Sequence, residues 1–282
     1  MNIIQGIILG IVQGLTEFLP VSSSAHLNIF PWIFNWGEMG DSFDLALHVG
    51  TLIALIVFFF KDWINLFKAG YKQAIKKEKT TEGRIFWCIV ISTIVAGIAS
   101  LVLDKISEKI IEFIANMCGL GENTLPVEMP IIAIALIVMG IVLYIVDKKS
   151  KSDKKYSDIT FKQSVLIAAS QALAAAFPGV SRSGITMTVA RAQGIDRESS
   201  ARFSFLLSAP IIAAAALVKI THFTFDLSLL VGILASFIVG FFVIKFLLNY
   251  LKKGSYKVFA IYRIVLGVIV IALWILKLIF HF

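Results

Sequence analysis

The sequence predicts an all-α, polytopic membrane protein: six transmembrane helices plus two re-entrant helix hairpins, arranged as an inverted-topology repeat. Three observations carry this prediction. The first is apolarity. Of the 282 residues, 58% are hydrophobic and 16% charged, and the mean hydropathy is +0.88, whereas soluble domains carry about 25% charged residues. The second is the clustering of lysine and arginine between the apolar runs. The third is a pair of apolar stretches, each broken by proline followed by small polar residues.

Taken in order, residues 3–36 form the first broken stretch, interrupted by Pro20 and a serine cluster. Continuous apolar runs follow at 43–60, 85–103 and 131–146, the last short and able to begin nearer Pro130. Residues 164–194 form the second broken stretch, interrupted by Pro178, Gly179 and a Ser-Arg-Ser-Gly run; spans at 196–218, 228–248 and 259–280 complete the chain. Runs of about 20 residues suffice to cross the hydrocarbon core, and their continuity differs from the alternation of barrel strands. Proline removes a donor and restricts the residue before it, so each broken stretch should enter and leave by the same face, its irregular backbone covered by protein or water. Residues 1–42 contain no Lys or Arg, so the opening segment lacks the basic start of a cleaved signal peptide.

The basic residues set the orientation. Segments 61–84, 147–163 and 249–258 hold seven, six and three Lys/Arg. The alternate segments hold none in 1–42, two in 104–130 (Lys105, Lys109) and one in 219–227 (Lys219). The positive-inside rule then places the three rich segments in the cytoplasm, with both termini outside. The first hairpin dips in from outside and the second from the cytoplasm. The net charge of +8 reflects these segments rather than nucleic-acid binding. Cys88 and Cys118 have no metal-type spacing and imply no disulfide framework.

The halves resemble each other. "VQGLTEFLPVSSSA" (12–25) laid over "SQALAAAFPGVSRS" (170–183) sets Gln13 on Gln171 and Pro20 on Pro178; "FDLALHVGTLIAL" (43–55) laid over "FSFLLSAPIIAAA" (203–215) sets Phe43 on Phe203. Residues 1–150 and 151–282 thus read as two repeats within one membrane domain, each a hairpin plus three spans. An odd span count inverts one copy against the other, and broken helices of inverted repeats form polar sites near the midplane.

Gln13 and Glu17 share a helix face; Ser22, Ser23, Ser24 and His26 follow in the turn. The second turn carries Ser181, Arg182, Ser183, Gly184 and Thr186. Ionised residues at bilayer depth are costly and ask for partners. Glu17 and Arg182 can meet as acid and counter-ion, or surround a ligand. Helix starts supply N–H groups for an anion, Arg182 a fork for phosphate oxygens, and Glu17 with Gln13 oxygen donors for Mg²⁺ or Ca²⁺. Together these are the parts of phosphoryl transfer. Read singly, the serines serve as helix caps and His26 as an interfacial histidine. Arg191, Arg197 and Arg202 read as a positive-inside fringe. Asp44 and His48 read as a ligand pair or, for Asp44, a helix-start acid.

"VQGLTEFLPVSSSAHL" and "FPGVSRSGITMT" resemble the two signature motifs of the undecaprenyl-diphosphatase family, the bacitracin-resistance membrane phosphatases; "FDLALHVGTLIAL" and "RFSFLLSAP" are similar to further family segments. The likeness covers nearly the whole chain. It implies a metal-dependent hydrolase that removes one phosphate from undecaprenyl diphosphate on the outer side of the plasma membrane, recycling the carrier of cell-wall and surface-glycan precursors. The family motifs fall on Gln13, Glu17, Ser22, Ser23 and His26, and on Ser181, Arg182 and Thr186. Some members carry glutamate where this chain has Gln13, so Asp44 becomes a candidate third metal ligand. The expected site therefore has Glu17, His26, Ser23 and Arg182 as catalytic groups and Ser22, Ser181, Arg182, Ser183 and Thr186 on the phosphate. Glu17 and Gln13 take the metal, and water, His26 or Ser23 is the nucleophile. Expected partners are a polyprenyl diphosphate, membrane lipids and a second copy of the chain, with no nucleic acid. A transporter or flippase of the same lipid is the competing expectation.

Overall fold

The computed structural model describes residues 2–37, 40–117, 125–219 and 226–280; Cys118 lies outside them. Twelve α-helices run in chain order among these residues, with no strand beyond an isolated bridge between Lys154 and Ile195. They are α1 (Ile3–Thr16), α2 (Ser23–Phe34), α3 (Asp41–Phe58), α4 (Phe60–Lys76), α5 (Thr81–Met117) and α6 (Leu125–Lys149), then α7 (Phe161–Ser170), α8 (Ala172–Ala176), α9 (Arg182–Ala192), α10 (Arg197–Lys219), α11 (Leu227–Leu251) and α12 (Lys257–Phe280). A 3₁₀ turn, Tyr156–Asp158, lies between α6 and α7.

Among the described residues five helices have the length and apolarity to cross a membrane: α5, α6, α10, α11 and α12. The α3–α4 pair is a sixth candidate, bent by 74°. These coincide with the six expected runs. Large apolar side chains face outward along them, as with Leu101, 69% exposed, and Phe242, 63% exposed. A chain solvated by lipid tails has no need to hide such groups.

Three segments differ from expectation. The basic stretch after residue 60 is a helix, α4. Its exposed apolar stripe (Phe60, Ile64, Phe67, Tyr71, Ile75) recurs every three or four residues beside exposed Lys61, Lys68, Lys72 and Lys76, while Leu66 and Gly70 are buried. That pattern suits an interfacial helix, which the charge of the segment alone does not reveal. Likewise α5 continues well past residue 103, through Asp104, Lys105, Glu108 and Lys109. Of the three arginines after the second turn, Arg191 is not part of a surface fringe, while Arg197 and Arg202 stay partly exposed. Arg191 is 1% exposed and donates Nε to Asp147 at 3.0 Å, with further bonds to the Ser150, Lys151 and Ile195 carbonyls and Ser152 Oγ. Arg197 Nε reaches the same Asp147 oxygen at 2.7 Å, and Arg202 pairs with Asp62 at 2.5 Å.

Both broken stretches fold as helix, turn, helix, with matching local chemistry. α1 and α7 each start with a capping box, Asn2 with Gln5 and Thr160 with Gln163, at identical cap dihedrals (φ −96°, ψ 163°). Such boxes satisfy two orphan donors reciprocally. α2 and α9 are each capped by a serine at positive φ. Ser22 (φ 78°) accepts from the Ala25 amide and Ser181 (φ 73°) from that of Gly184. A non-glycine residue rarely adopts this region. Because Gly179 (φ 99°) adds a residue to the second turn, the structure sets Ser22 opposite Ser181. The ungapped sequence comparison sets Ser23 there instead. Gly179 must be glycine on two counts, since a Cβ would also lie 2.6 Å from the Ile132 carbonyl oxygen.

The two stretches are clasped crosswise. α1 lies along α11, α7 and α8 along α5, and α6 along α12, while α10 packs on both α3 and α9. The α1–α11 seam is glycine-lined: a Cβ on Gly10 would sit 2.4 Å from the Gly232 carbonyl oxygen. Close approach through small residues is how helices associate in lipid. Buried Leu9, Val12, Leu27, Phe43, Leu47 and Leu229 fill one apolar cluster beside this seam.

Candidate active site

Glu17 is the residue on which the two turns converge. It caps the C-terminus of α1, is 6% exposed, and receives hydrogen bonds on both carboxylate oxygens. Oε1 takes the guanidinium of Arg182, the first residue of α9. Oε2 takes Gln13 Nε2 at 3.0 Å from one helical turn back and Ser23 Oγ at 2.7 Å from its own turn. His48, from α3, brings Nε2 to 3.4 Å of Oε2. Ser23 and Arg182, each one residue past a positive-φ serine, thus bond different oxygens of one carboxylate. Removing either member of such a buried ion pair strands the other charge.

A cavity of about 270 Å³ opens at this junction, lined by Glu17, Ser23, His48, Gln171, Ser181, Arg182 and Ser183 among others. α2 and α9 both begin at its edge, so their free N–H groups and positive dipole ends favour an anion there. Two amides near it are incompletely used: Gln13 Oε1 and Gln171 Nε2 are buried without hydrogen-bond partners. A larger hollow of about 520 Å³ lies between the ends of α6 and α9, lined by Lys149, Lys151, Lys154 and Asp153. Among the described residues no hydrogen bond brings a hydroxyl against a carboxylate there in this way, so the smaller cavity is the candidate site.

Not every expected residue faces that cavity. Ser22 is 1% exposed and spent on capping the Ala25 amide and pairing with Ser24. The Thr186 hydroxyl bonds the Arg182 and Ser183 carbonyls and, at 2.6 Å, Ser204 Oγ. Asp44 supplies a main-chain carbonyl to His48 Nδ1 at 2.7 Å. His26 is buried beside α12. Its Nδ1 lies 2.7 Å from the Ser22 carbonyl, which can only accept, so Nδ1 carries the proton; Nε2 then accepts from the Tyr262 hydroxyl at 2.7 Å. That arrangement leaves His26 no free lone pair for a base or nucleophile and makes it a strut for the Ser22 turn.

Sequence reasoning passed over His48 as a neighbour of Glu17, placed Gln171 only as the repeat partner of Gln13, and missed Tyr262 and Arg263 altogether. Arg263 carried a readable signal, a charge inside the last apolar span. The positive-inside rule weighs only lysines and arginines between spans.

A family model described as bacitracin resistance protein BacA matches residues 6–269, which include both turns, His48 and Arg263. The chain belongs to the BacA family. Its BacA relatives include proteins named undecaprenyl-diphosphatase from Desulforudis audaxviator (43% identical, covering 98% of this chain and 100% of that protein) and Moorella thermoacetica (41% identical, 98% and 100%). A third, from Pelotomaculum thermopropionicum, is 44% identical over 97% of each chain. With five apolar helices long enough to span and a sixth bent candidate, this BacA protein is a multi-pass membrane protein.

Proposed function

We propose that this BacA-family protein hydrolyses undecaprenyl diphosphate to undecaprenyl phosphate and inorganic phosphate. Full-length similarity to proteins named for that activity supports the reading. The observation that carries it is the meeting of Ser23, Glu17 and Arg182 at one cavity. A nucleophile, a base within hydrogen-bond reach and an anion-holding cation are what acyl- or phosphoryl-transfer sites need. The transporter reading has no comparable support.

The diphosphate docks between the two turns with its tail left among lipid chains. Its terminal phosphate displaces part of the Arg182–Glu17 pair, taking the guanidinium fork, Ser181 and Ser183 as donors. Gln171 Nε2, otherwise without a partner, donates to the second phosphate. Ser23 Oγ attacks the terminal phosphorus as Glu17 accepts its proton. The bridging P–O bond breaks, undecaprenyl phosphate leaves, and water then releases phosphate from the seryl ester. His48, beside the same Glu17 oxygen, relays the proton.

A divalent cation fits this set. Glu17 and the unpartnered Gln13 Oε1 would hold it. Among the described residues no three of His, Cys, Asp and Glu gather as a closed cage, which suits an ion such as Mg²⁺ that takes substrate phosphates as ligands. When bound, it neutralises charge on the phosphate oxygens.

The two broken stretches act as re-entrant hairpins of inverted repeats 1–150 and 151–282. The paired capping boxes, paired positive-φ serines and crosswise clasping of α1 by α11 and of α7–α8 by α5 support that arrangement. The lysine-rich segments lie in the cytoplasm, so the first turn opens to the outer side of the plasma membrane.

Purified protein in detergent should release phosphate from farnesyl or undecaprenyl diphosphate and stop when EDTA is added. Glu17→Ala and Arg182→Ala, shown to be folded, should each lose about a hundredfold or more. Full activity in both variants would refute the site. Rapid quenching with substrate labelled in its terminal phosphate should trap labelled protein in the wild type and none in Ser23→Ala. Equal trapping in the two would remove Ser23 as nucleophile.

A further inference from the structure

Arg263 sits in α12 and is fully buried, at 0% exposure. No acidic side chain among the described residues forms an ion pair with it. Main-chain carbonyls take its donors instead: Nη1 bonds Pro20 O at 3.2 Å, and Nη2 bonds Gly179 O at 2.8 Å and Val180 O at 3.0 Å. Nε reaches Leu136 O at 3.4 Å. Pro20 belongs to the first turn and Gly179 and Val180 to the second. One guanidinium therefore binds both turns from behind, while Ser23 and Arg182 lie at their front.

Burying a charge without a counter-ion is costly, and capping two turns separately would need no charge. A planar fork has one property that neutral caps lack: it fixes the spacing of several acceptors at once. The neighbouring residue belongs to the same device, since Tyr262 holds His26, which holds the Ser22 carbonyl. Room for the fork comes from Gly184, where a Cβ would stand 2.7 Å from Arg263 Nη1.

We propose that Arg263 is a positioning residue of the phosphatase, its single fork holding the two turns at the separation that sets Ser23 against a phosphate on Arg182. The inference rests on the proposed hydrolysis. It assigns the residue no contact with substrate. Its buried charge, with no acid to neutralise it, also favours an anion on the far side of the turns.

Turnover should suffer more than binding, because the lipid tail supplies much of the affinity. In Arg263→Ala, kcat should fall about a hundredfold, the cost of a misplacement near 1 Å, with KM changed less than about threefold. Guanidinium ion, added well below denaturing concentrations, should restore part of the lost kcat. Arg263→Lys keeps the charge but not the fork, so it should remain close to the alanine variant. Should either fail to fold, Gly184→Ala is the milder probe: its methyl displaces Nη1, and kcat should fall about tenfold with KM held. Loss of melting temperature with unchanged kcat in every variant that folds would reduce Arg263 to a structural group and overturn the proposal. So would unchanged kcat in both Arg263→Lys and Gly184→Ala. A wild type that released no phosphate would instead overturn the hydrolase reading itself.

Discussion

Glu17 was conspicuous in the sequence because an acid within an apolar run needs a reason, and Arg182 for the same cause. Their ion pair joins residues 165 apart in the chain. His26 was harder to read. Its nearness in sequence to the serines said nothing of where its ring points, and the ring points at Tyr262. The two roles for His26 separate experimentally. If it is a strut, Tyr262→Phe leaves a buried ring nitrogen without a donor. That should cost about 1–3 kcal/mol of stability and reproduce much of the activity loss of His26→Ala. If His26 were the attacking group, Tyr262→Phe would free its lone pair and turnover would hold or rise. Arg263 was legible as a charge within an apolar span, but what it binds was not. Its partners are carbonyls, which every residue possesses, so no residue type marked them.

Among elements, the six long runs were readable because lipid demands continuous apolarity, and the breaks because proline cannot continue a helix. The α4 helix was missed since its lysines resembled a loop; only the three- and four-residue spacing of Phe60, Ile64, Phe67, Tyr71 and Ile75 betrays it. The glycine seam between α1 and α11 carries the sharpest expectation at this scale. Gly10→Ala forces a methyl onto the Gly232 carbonyl. That should cost about 1–3 kcal/mol through overpacking, seen as a lower melting temperature in detergent. Because α1 ends at Glu17, phosphate release should fall with it, even though Gly10 lies nearly two turns from the carboxylate. A melting temperature equal to wild type would mean that the seam is looser than drawn.

For the whole molecule, Asp147 has a reach out of proportion to its size. Its carboxylate, 5% exposed, receives Arg191 from α9, Arg197 from α10 and the Tyr256 amide ahead of α12. Burial, with the Asp147 charge adding to it, pushes the Tyr256 phenol far above its usual range, so it stays a donor, to the Arg197 carbonyl at 3.0 Å. Asp147→Ala would strand two arginines in this knot and should cost about 3–5 kcal/mol, read as lost yield of folded protein. Asp147→Asn should lose less. The proposed repeat is legible only in outline, because apolar helices resemble one another by chance and one extra glycine in the second turn shifts the register of the two turns. Arg263 adds a consequence for biogenesis. It lies on α12, downstream of every other element. A nascent chain emerging from the ribosome would hold Glu17, Ser23 and Arg182 in the bilayer well before the clasp behind them arrives. Insertion of that closing helix would bring the two turns to their working separation, so partly translated copies left in the membrane would turn over little substrate.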